Sequence, residues 1–307
     1  MIKKLELDTL KAEVASLDYL IAERSVEDPI GARQFIKRRE KLLEEIAAVN
    51  NAYSSCASVG LFFGGAPVFG SKGIDSHFAS NIIDKFQSIV NKRYAFLESG
   101  ALSSRGPVRN SNNAKLMITD VARGSFGFVL EETPKDSLLE VDTELKHVVE
   151  DVNDILNKIS SPEDAVFEEV IEDLDDRTLN DVRSFYEELY SSQATLKVID
   201  DRSEYILSLE KIFYAKNRMD RVRLSDETLT TIFGRLYVVP YEKRFELRVE
   251  GRDAPIRGKI TKQFLESHSN DLDSIIGRDW NARLLVTDIY RNDVLISTRY
   301  TLDSINS

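Results

Sequence analysis

From Thr228 to the end of the chain, apolar residues recur at every second position in short runs separated by turn residues. That period of two is the signature of strands with one buried face, and several such strands in a row must close on themselves or be covered. The first run is long, Thr228 to Val239, with Gly234 inside it to permit a bend. Phe245, Leu247 and Val249 alternate in a second strand, and Ile256, Gly258 and Ile260 in a third. Phe264, Leu265, Leu272 and Ile275 have helical spacing and stop at Gly277. Trp280, Ala282, Leu284 and Val286 make a fourth strand. Asn292-Asp293 is a hairpin turn into a fifth, Val294 to Leu302. The order β-β-β-α-β-β predicts a five-stranded OB-like barrel over residues 228–307. An SH3-like barrel competes with it, because strand order alone does not show closure.

The remainder reads as three segments, giving an α+β protein. Over 1–56, Leu7, Leu10, Val14, Leu17 and Ile21 keep 3/4 spacing, the seam of a helix that meets one partner. Asp28-Pro29 is an N-cap followed by proline at the first helical position. It starts a second helix with Phe35, Leu42, Ile46, Val49 and Tyr53 on one side. The short break at Ser25 to Asp28 predicts an antiparallel hairpin. Over 57–135 a small α+β unit is expected. Its strand Val59 to Phe63 returns through Ala66 to Phe69, a long helix is capped by Asp75 or Ser76, a polar loop contains Gly106-Pro107, and two strands meet at Ala122-Arg123-Gly124. Residues 136–227 read as an acidic helical segment. Leu138, Val141, Leu145, Val148, Val152, Ile155 and Ile159 line one face, and a short strand is plausible at Thr195 to Ile199.

Within 307 residues, 42% hydrophobic and 30% charged content are those of folded proteins. No apolar run approaches the ~20 residues of a membrane span. The N-terminus meets acids at once and reads as a helix start, not a signal peptide. Cys56 is the only cysteine, which excludes a disulfide framework and cysteine-based zinc sites. The cytoplasm is the expected compartment. The net charge of −11 is uneven: +3 over 1–130, −15 over 131–188, 0 over 189–227 and +1 over 228–307. Global acidity therefore leaves an anionic ligand open elsewhere on the chain.

Catalytic chemistry finds no constellation. Gly65-Ala-Pro-Val-Phe-Gly-Ser-Lys72 resembles a phosphate-binding loop but reverses the final Lys-Ser order, and Pro67 removes a backbone donor. Gly70-Ser-Lys-Gly73 matches the GxxG of KH modules, but a strand precedes it where that module has a helix. His77, His147 and His268 lie in separate segments with no second ligand at helical or strand spacing, and no serine sits in a GxSxG elbow. Asp175-Asp176 and Asp200-Asp201 are neighbours that do not face one site. No catalytic, cofactor-binding or metal-binding residue is assigned, and a non-enzymatic protein is expected.

Surface chemistry is more telling. If Phe245, Leu247 and Val249 point inward, Arg244, Glu246 and Arg248 point outward. The same alternation turns out Arg257, Lys259, Arg283 and Arg299, gathering six cations and one acid on the barrel exterior. Two readings follow. In the preferred one the chain is a scaffold or adaptor, self-associating through Leu10, Val14, Leu17, Ile21, Leu42 and Ile46. It then meets a protein partner through the barrel and the Gly-Ser-Phe-Gly-Phe edge. In the other, the cationic face binds nucleic acid, as strands 2 and 3 of OB barrels commonly do. Stacking aromatics are sparse there, Tyr237 and Tyr241 being the candidates.

Three stretches carry a resemblance: Asp28-Pro29-Ile30 through Leu42, Gly65-Ala-Pro-Val-Phe-Gly-Ser-Lys-Gly-Ile-Asp75, and Arg123-Gly-Ser-Phe-Gly-Phe-Val-Leu-Glu131. With the small C-terminal barrel they resemble a family of uncharacterised bacterial proteins of about this length, over most of the chain. The resemblance carries no functional residue. By analogy it implies a role in a bacterial accessory or defence system.

Overall fold

A computed structural model describes residues 2–24, 28–51, 54–99, 111–122, 126–133, 141–269 and 271–306. Outside them lie Ser25, Tyr53, the Gly106-Pro107 loop, the turn at 123–125 and Leu138. The chain divides into two compact units, each interleaved in sequence. One comprises Met1–Ile74, Leu116–Glu150 and Thr195–Ile206, the other Asp75–Lys115, Asp151–Ala194 and Leu207–Ser307. The linear boundary expected at 135/136 does not separate them.

In the first unit α1 (Lys3–Arg24) and α2 (Pro29–Asn51) pack together. The Asp28 carboxylate accepts the Gly31 N–H at 2.9 Å, capping α2. Arg38 with Glu13 and Arg39 with Asp18 tie the two helices antiparallel. The sheet beside them has the order β4-β5-β1-β6-β7, from β1 (Ser58–Gly65), β4 (Leu116–Ala122), β5 (Phe126–Glu132), β6 (Ala194–Asp200) and β7 (Glu204–Leu207). With a neighbour on each edge, β1 buries Val59 through Phe63 without alternation, as a central strand does. Gly127 of β5 stands opposite Phe62, and a Cβ there would overlap the Phe62 ring. That packing explains the glycine inside the Gly-Ser-Phe-Gly-Phe stretch. Two expectations change. Ala66 to Phe69 does not return along β1, whose edges are taken. Instead β2 (Val68–Phe69) pairs with β3 (Gly73–Ile74). The strand expected at Thr195 to Ile199 is present, but it joins this sheet beside β1 and is not an insertion among helices.

The second unit combines helices with the barrel. The Asp75 carboxylate accepts the Phe78 N–H at 2.8 Å, so Asp75 caps α3 (Ser76–Ser99). Helix α4 (Glu144–Ile159) belongs to this unit from Asp151 on; its start belongs to the first unit, where Thr143 caps it through its Oγ1 and the Lys146 N–H, at 3.1 Å. Val141, before that cap, is exposed. Next come α5 (Asp164–Asp173), α6 (Asp176–Ser191) capped by Asp175, and α7 (Leu209–Met219) capped by Ser208. Helix α6 packs on α3 and on α7, and the buried Tyr186 hydroxyl donates to the Leu156 carbonyl.

The five barrel strands are β9 (Thr228–Val239), β10 (Arg244–Arg248), β11 (Ile256–Ile260), β12 (Arg278–Arg291) and β13 (Val294–Asn306). They run in the cyclic order β9-β10-β11-β13-β12, closed by β12 on β9, with β8 (Val222–Leu224) added outside β12. Only the β11–β13 contact is parallel. Closure brings β11 so near β13 that a Cβ on Gly258 would overlap the Tyr300 carbonyl oxygen. Leu236, Phe245, Leu247, Ile256, Leu284 and Leu302 fill the interior. The single helix expected over 264–275 is two, α8 (Lys262–Ser267) and α9 (Leu272–Ile275). Between Leu265 and Leu272 the chain offers no apolar residue to hold a continuous helix on the core. Asn292 and Asp293 have φ of 52° and 61°, the left-handed pair of a tight hairpin turn. Among the described residues no helix is long and apolar enough to cross a membrane.

Candidate functional site

Strand alternation decides which barrel residues can meet anything. In β10, Phe245 and Leu247 are buried while Arg244 and Arg248 are exposed, and β11 repeats the pattern with Ile256 and Ile260 inside. Register then sets Arg244 beside Lys259 and Glu246 beside Arg257 across β10 and β11. On the other side Arg248 stands beside Arg235 and Glu246 beside Tyr237 of β9. The cations expected on the exterior are there, but they fall into separate environments.

Lys259 and Arg299 are turned onto the C-terminal end of α5. The Lys259 ammonium pairs with the Asp173 carboxylate, and an Arg299 guanidinium N–H donates to the Leu174 carbonyl. Asp173 also binds Arg93 of α3, which is 3% exposed and reaches Asp151 of α4 at 2.5 Å. Both Arg93 and Lys259 lie over the Phe96 ring, at 5.5 and 4.7 Å. Burial alone would raise the Asp173 carboxyl, but Arg93 and Lys259 together hold it below the usual carboxylate range. Burial pushes the Lys259 ammonium down, and Asp173 offsets that only in part. Arg299 is lowered by burial as well. This is a structural ion cluster joining α3, α4, α5 and the barrel, and it leaves two of the six cations, Lys259 and Arg299, half-buried.

Arg248 and Arg257 are exposed but share one carboxylate: both bind Glu246, at 2.9 and 3.2 Å. The Arg248 guanidinium also lies 5.1 Å from the Tyr237 ring centre. Arg235, on the neighbouring strand, pairs with Asp279 at 3.3 Å. Phe233 is 59% exposed on the same outward row of β9, and Tyr241 is almost fully exposed in the β9–β10 turn. Arg244 is exposed, and Arg283 is half-buried on β12 opposite Thr231 and Ser304. Phe233 and Arg235 escaped the sequence reading although they obey the same alternation as Tyr237. Arg93, Asp151 and Asp173 gave no signal, because three separate helices deliver them.

Between α4 and α5 on one side and β10, β11 and β13 on the other runs a cleft of about 750 Å³, within the range of ligand sites. The Arg93–Asp173–Lys259 cluster is part of its lining.

In the hairpin, Leu17 and Leu42 are buried and Leu10, Val14, Ile21 and Ile46 are half-buried. The 3/4 seam is therefore largely used between α1 and α2. Among the described residues, Tyr19, Ile36 and Leu43 are the large apolar side chains the hairpin leaves exposed. The near miss to a phosphate loop folds as the β2–β3 hairpin, where the Lys72 N–H donates to the Phe69 carbonyl at 3.0 Å in a turn. Among the described residues no group of three or more His, Cys, Asp or Glu could hold a metal ion. Comparison of the chain with family models, curated proteins and solved structures finds no match.

Proposed function

We propose that this protein is a cytoplasmic scaffold or adaptor that self-associates and binds a protein partner through its C-terminal barrel. The setting, on the resemblance noted above, is a bacterial accessory or defence system. One observation carries the reading: the barrel exterior already holds protein. Lys259 and Arg299 grip the end of the acidic helix α5, and the exposed Arg248 and Arg257 both bind Glu246. A surface on which four of the six cations already engage protein groups suits protein contact better than a polyanion, which needs cations free to replace counterions. The barrel itself is of the OB type in this reading. Its support is the cyclic order, the parallel closing pair β11–β13 and the helical insert between β11 and β12. Self-association is assigned to the apolar residues left exposed on the hairpin. Light scattering at tens of micromolar is expected to give a mass above the monomer, reduced to the monomer by Tyr19→Asp with Leu43→Asp. A clean monomer for the wild type rejects it.

A second reading has its own support. Phe233 and Tyr237 alternate with Arg235 on β9, beside Arg248, which is the cation-and-aromatic weave of a single-strand binding face. Asp279 and Glu246 sit within that weave and oppose phosphate.

A further inference from the structure

The cleft beside the barrel has a charge imbalance that the cations of its walls conceal. Lys158 is paired with Asp154 at 2.8 Å, Arg257 with Glu246, and Lys259 and Arg93 with Asp173. Arg299 is held on the Leu174 carbonyl. Among its lining cations Arg244 and Arg299 lack an ion pair with a described residue, and Arg299 is half-buried. Against them stand three exposed carboxylates without one. Glu169 and Glu172 are three residues apart on α5, hence on one helix face, and Glu242 comes from the β9–β10 turn on the opposite wall. Of the apolar residues that line the cleft, Val239 is exposed while Ile155 and Val170 are buried. An incoming anion would meet three exposed glutamates that no ion pair occupies. An incoming lysine or arginine would find acceptors for its head on both walls and apolar surface for its methylene stem.

We propose that this cleft seats an extended, lysine- or arginine-bearing peptide segment of a protein partner, a proposal that rests on the adaptor reading. The Arg93–Asp173–Lys259 cluster, buried at Arg93, ties the two walls together, so the acceptors stand ready before the segment arrives.

The test uses the full chain and two fluorescein-labelled decapeptides, one alternating lysine with serine and one alternating glutamate with serine. Anisotropy at about 150 mM salt is expected to show saturable, one-to-one binding of the lysine peptide alone. Glu169→Gln, Glu172→Gln and Glu242→Gln together should weaken it by about tenfold or more. A control chain with Glu23→Gln, Glu40→Gln and Glu44→Gln loses the same charge from the hairpin and should bind like the wild type. All six side chains are exposed, so melting curves should be unchanged. No saturable binding of the lysine peptide, equal weakening in both triple variants, or preference for the glutamate peptide overturns the proposal. The same chains serve as bait in native extract, which separates the two claims. A partner held equally by wild type and cleft variant overturns the cleft and leaves the adaptor reading standing. Absence of any partner, with peptide binding intact and lost in the cleft variant, supports the cleft and rejects the adaptor. A mass increase abolished by the cleft variant would assign the cleft to a second copy of this chain and overturn the foreign partner.

Discussion

Lys259 and Arg248 look alike in the sequence, both outward-facing cations on short strands, yet their neighbours make them opposites. Lys259 sits in an ion cluster around the nearly buried Arg93, whereas Arg248 lies in solvent beside Glu246. Alternation made their direction legible. Their partners were not legible, because Asp173 and Arg93 come from helices far away in sequence. The difference has consequences for stability. Asp173→Ala leaves Arg93 and Lys259 short of their shared carboxylate and should cost about 3 kcal/mol in urea unfolding. Arg248→Ala should leave the unfolding midpoint unchanged. The Asp173 carboxyl is held below its unfolded value of about 3.9, so its contribution is present above that pH and is lost as pH falls through the folded value. Asp173→Asn should accordingly remove part of the wild type's loss of stability on acidification below about pH 4. Identical acid profiles for the two proteins would show that the cluster does not act this way.

At the scale of elements, each barrel strand was readable from its own period of two, although β12 runs five residues past the expected Val286 and β13 four past Leu302. The sheet of the first unit was only partly readable. Its central strand β1 has no alternation, and β6 reaches it from about 130 residues away, a pairing no local pattern can announce. The helical insert was misread as continuous because its two apolar ends share a spacing that the polar stretch between them does not support. Closure is the element-level property that matters most here, and it depends on Gly258. Valine at 258 would drive Cβ into the Tyr300 carbonyl and should part β11 from β13, lowering stability by roughly 2–4 kcal/mol. Hydrogen exchange should speed up selectively at the β11–β13 contact. Gly73→Ala, in the β2–β3 hairpin with open space around it, serves as the neutral control. Equal protection in Gly258→Val and wild type would mean that the barrel does not need this close approach.

For the whole molecule, the sequence located its acidity in one block but not what that acidity does. Part of the 131–188 excess binds the barrel of its own unit through Asp173, part is bound within the helices, and part is left at the rim of the cleft. The expected cationic face is thereby divided: Lys259 and Arg299 are half-buried against the end of α5, Arg248 and Arg257 share Glu246, and Arg244 is exposed without an ion pair among the described residues. Any test of the exposed face must avoid Lys259, since changing it would disturb the fold together with the surface. The most direct measurement is a salt titration of the full chain against a labelled single-stranded oligonucleotide, with Arg248→Glu and Arg257→Glu as the paired variant. A protein-binding barrel predicts no submicromolar affinity near physiological salt and no difference between wild type and variant. Submicromolar affinity that falls linearly with salt on a log–log plot and vanishes in the variant would contradict it.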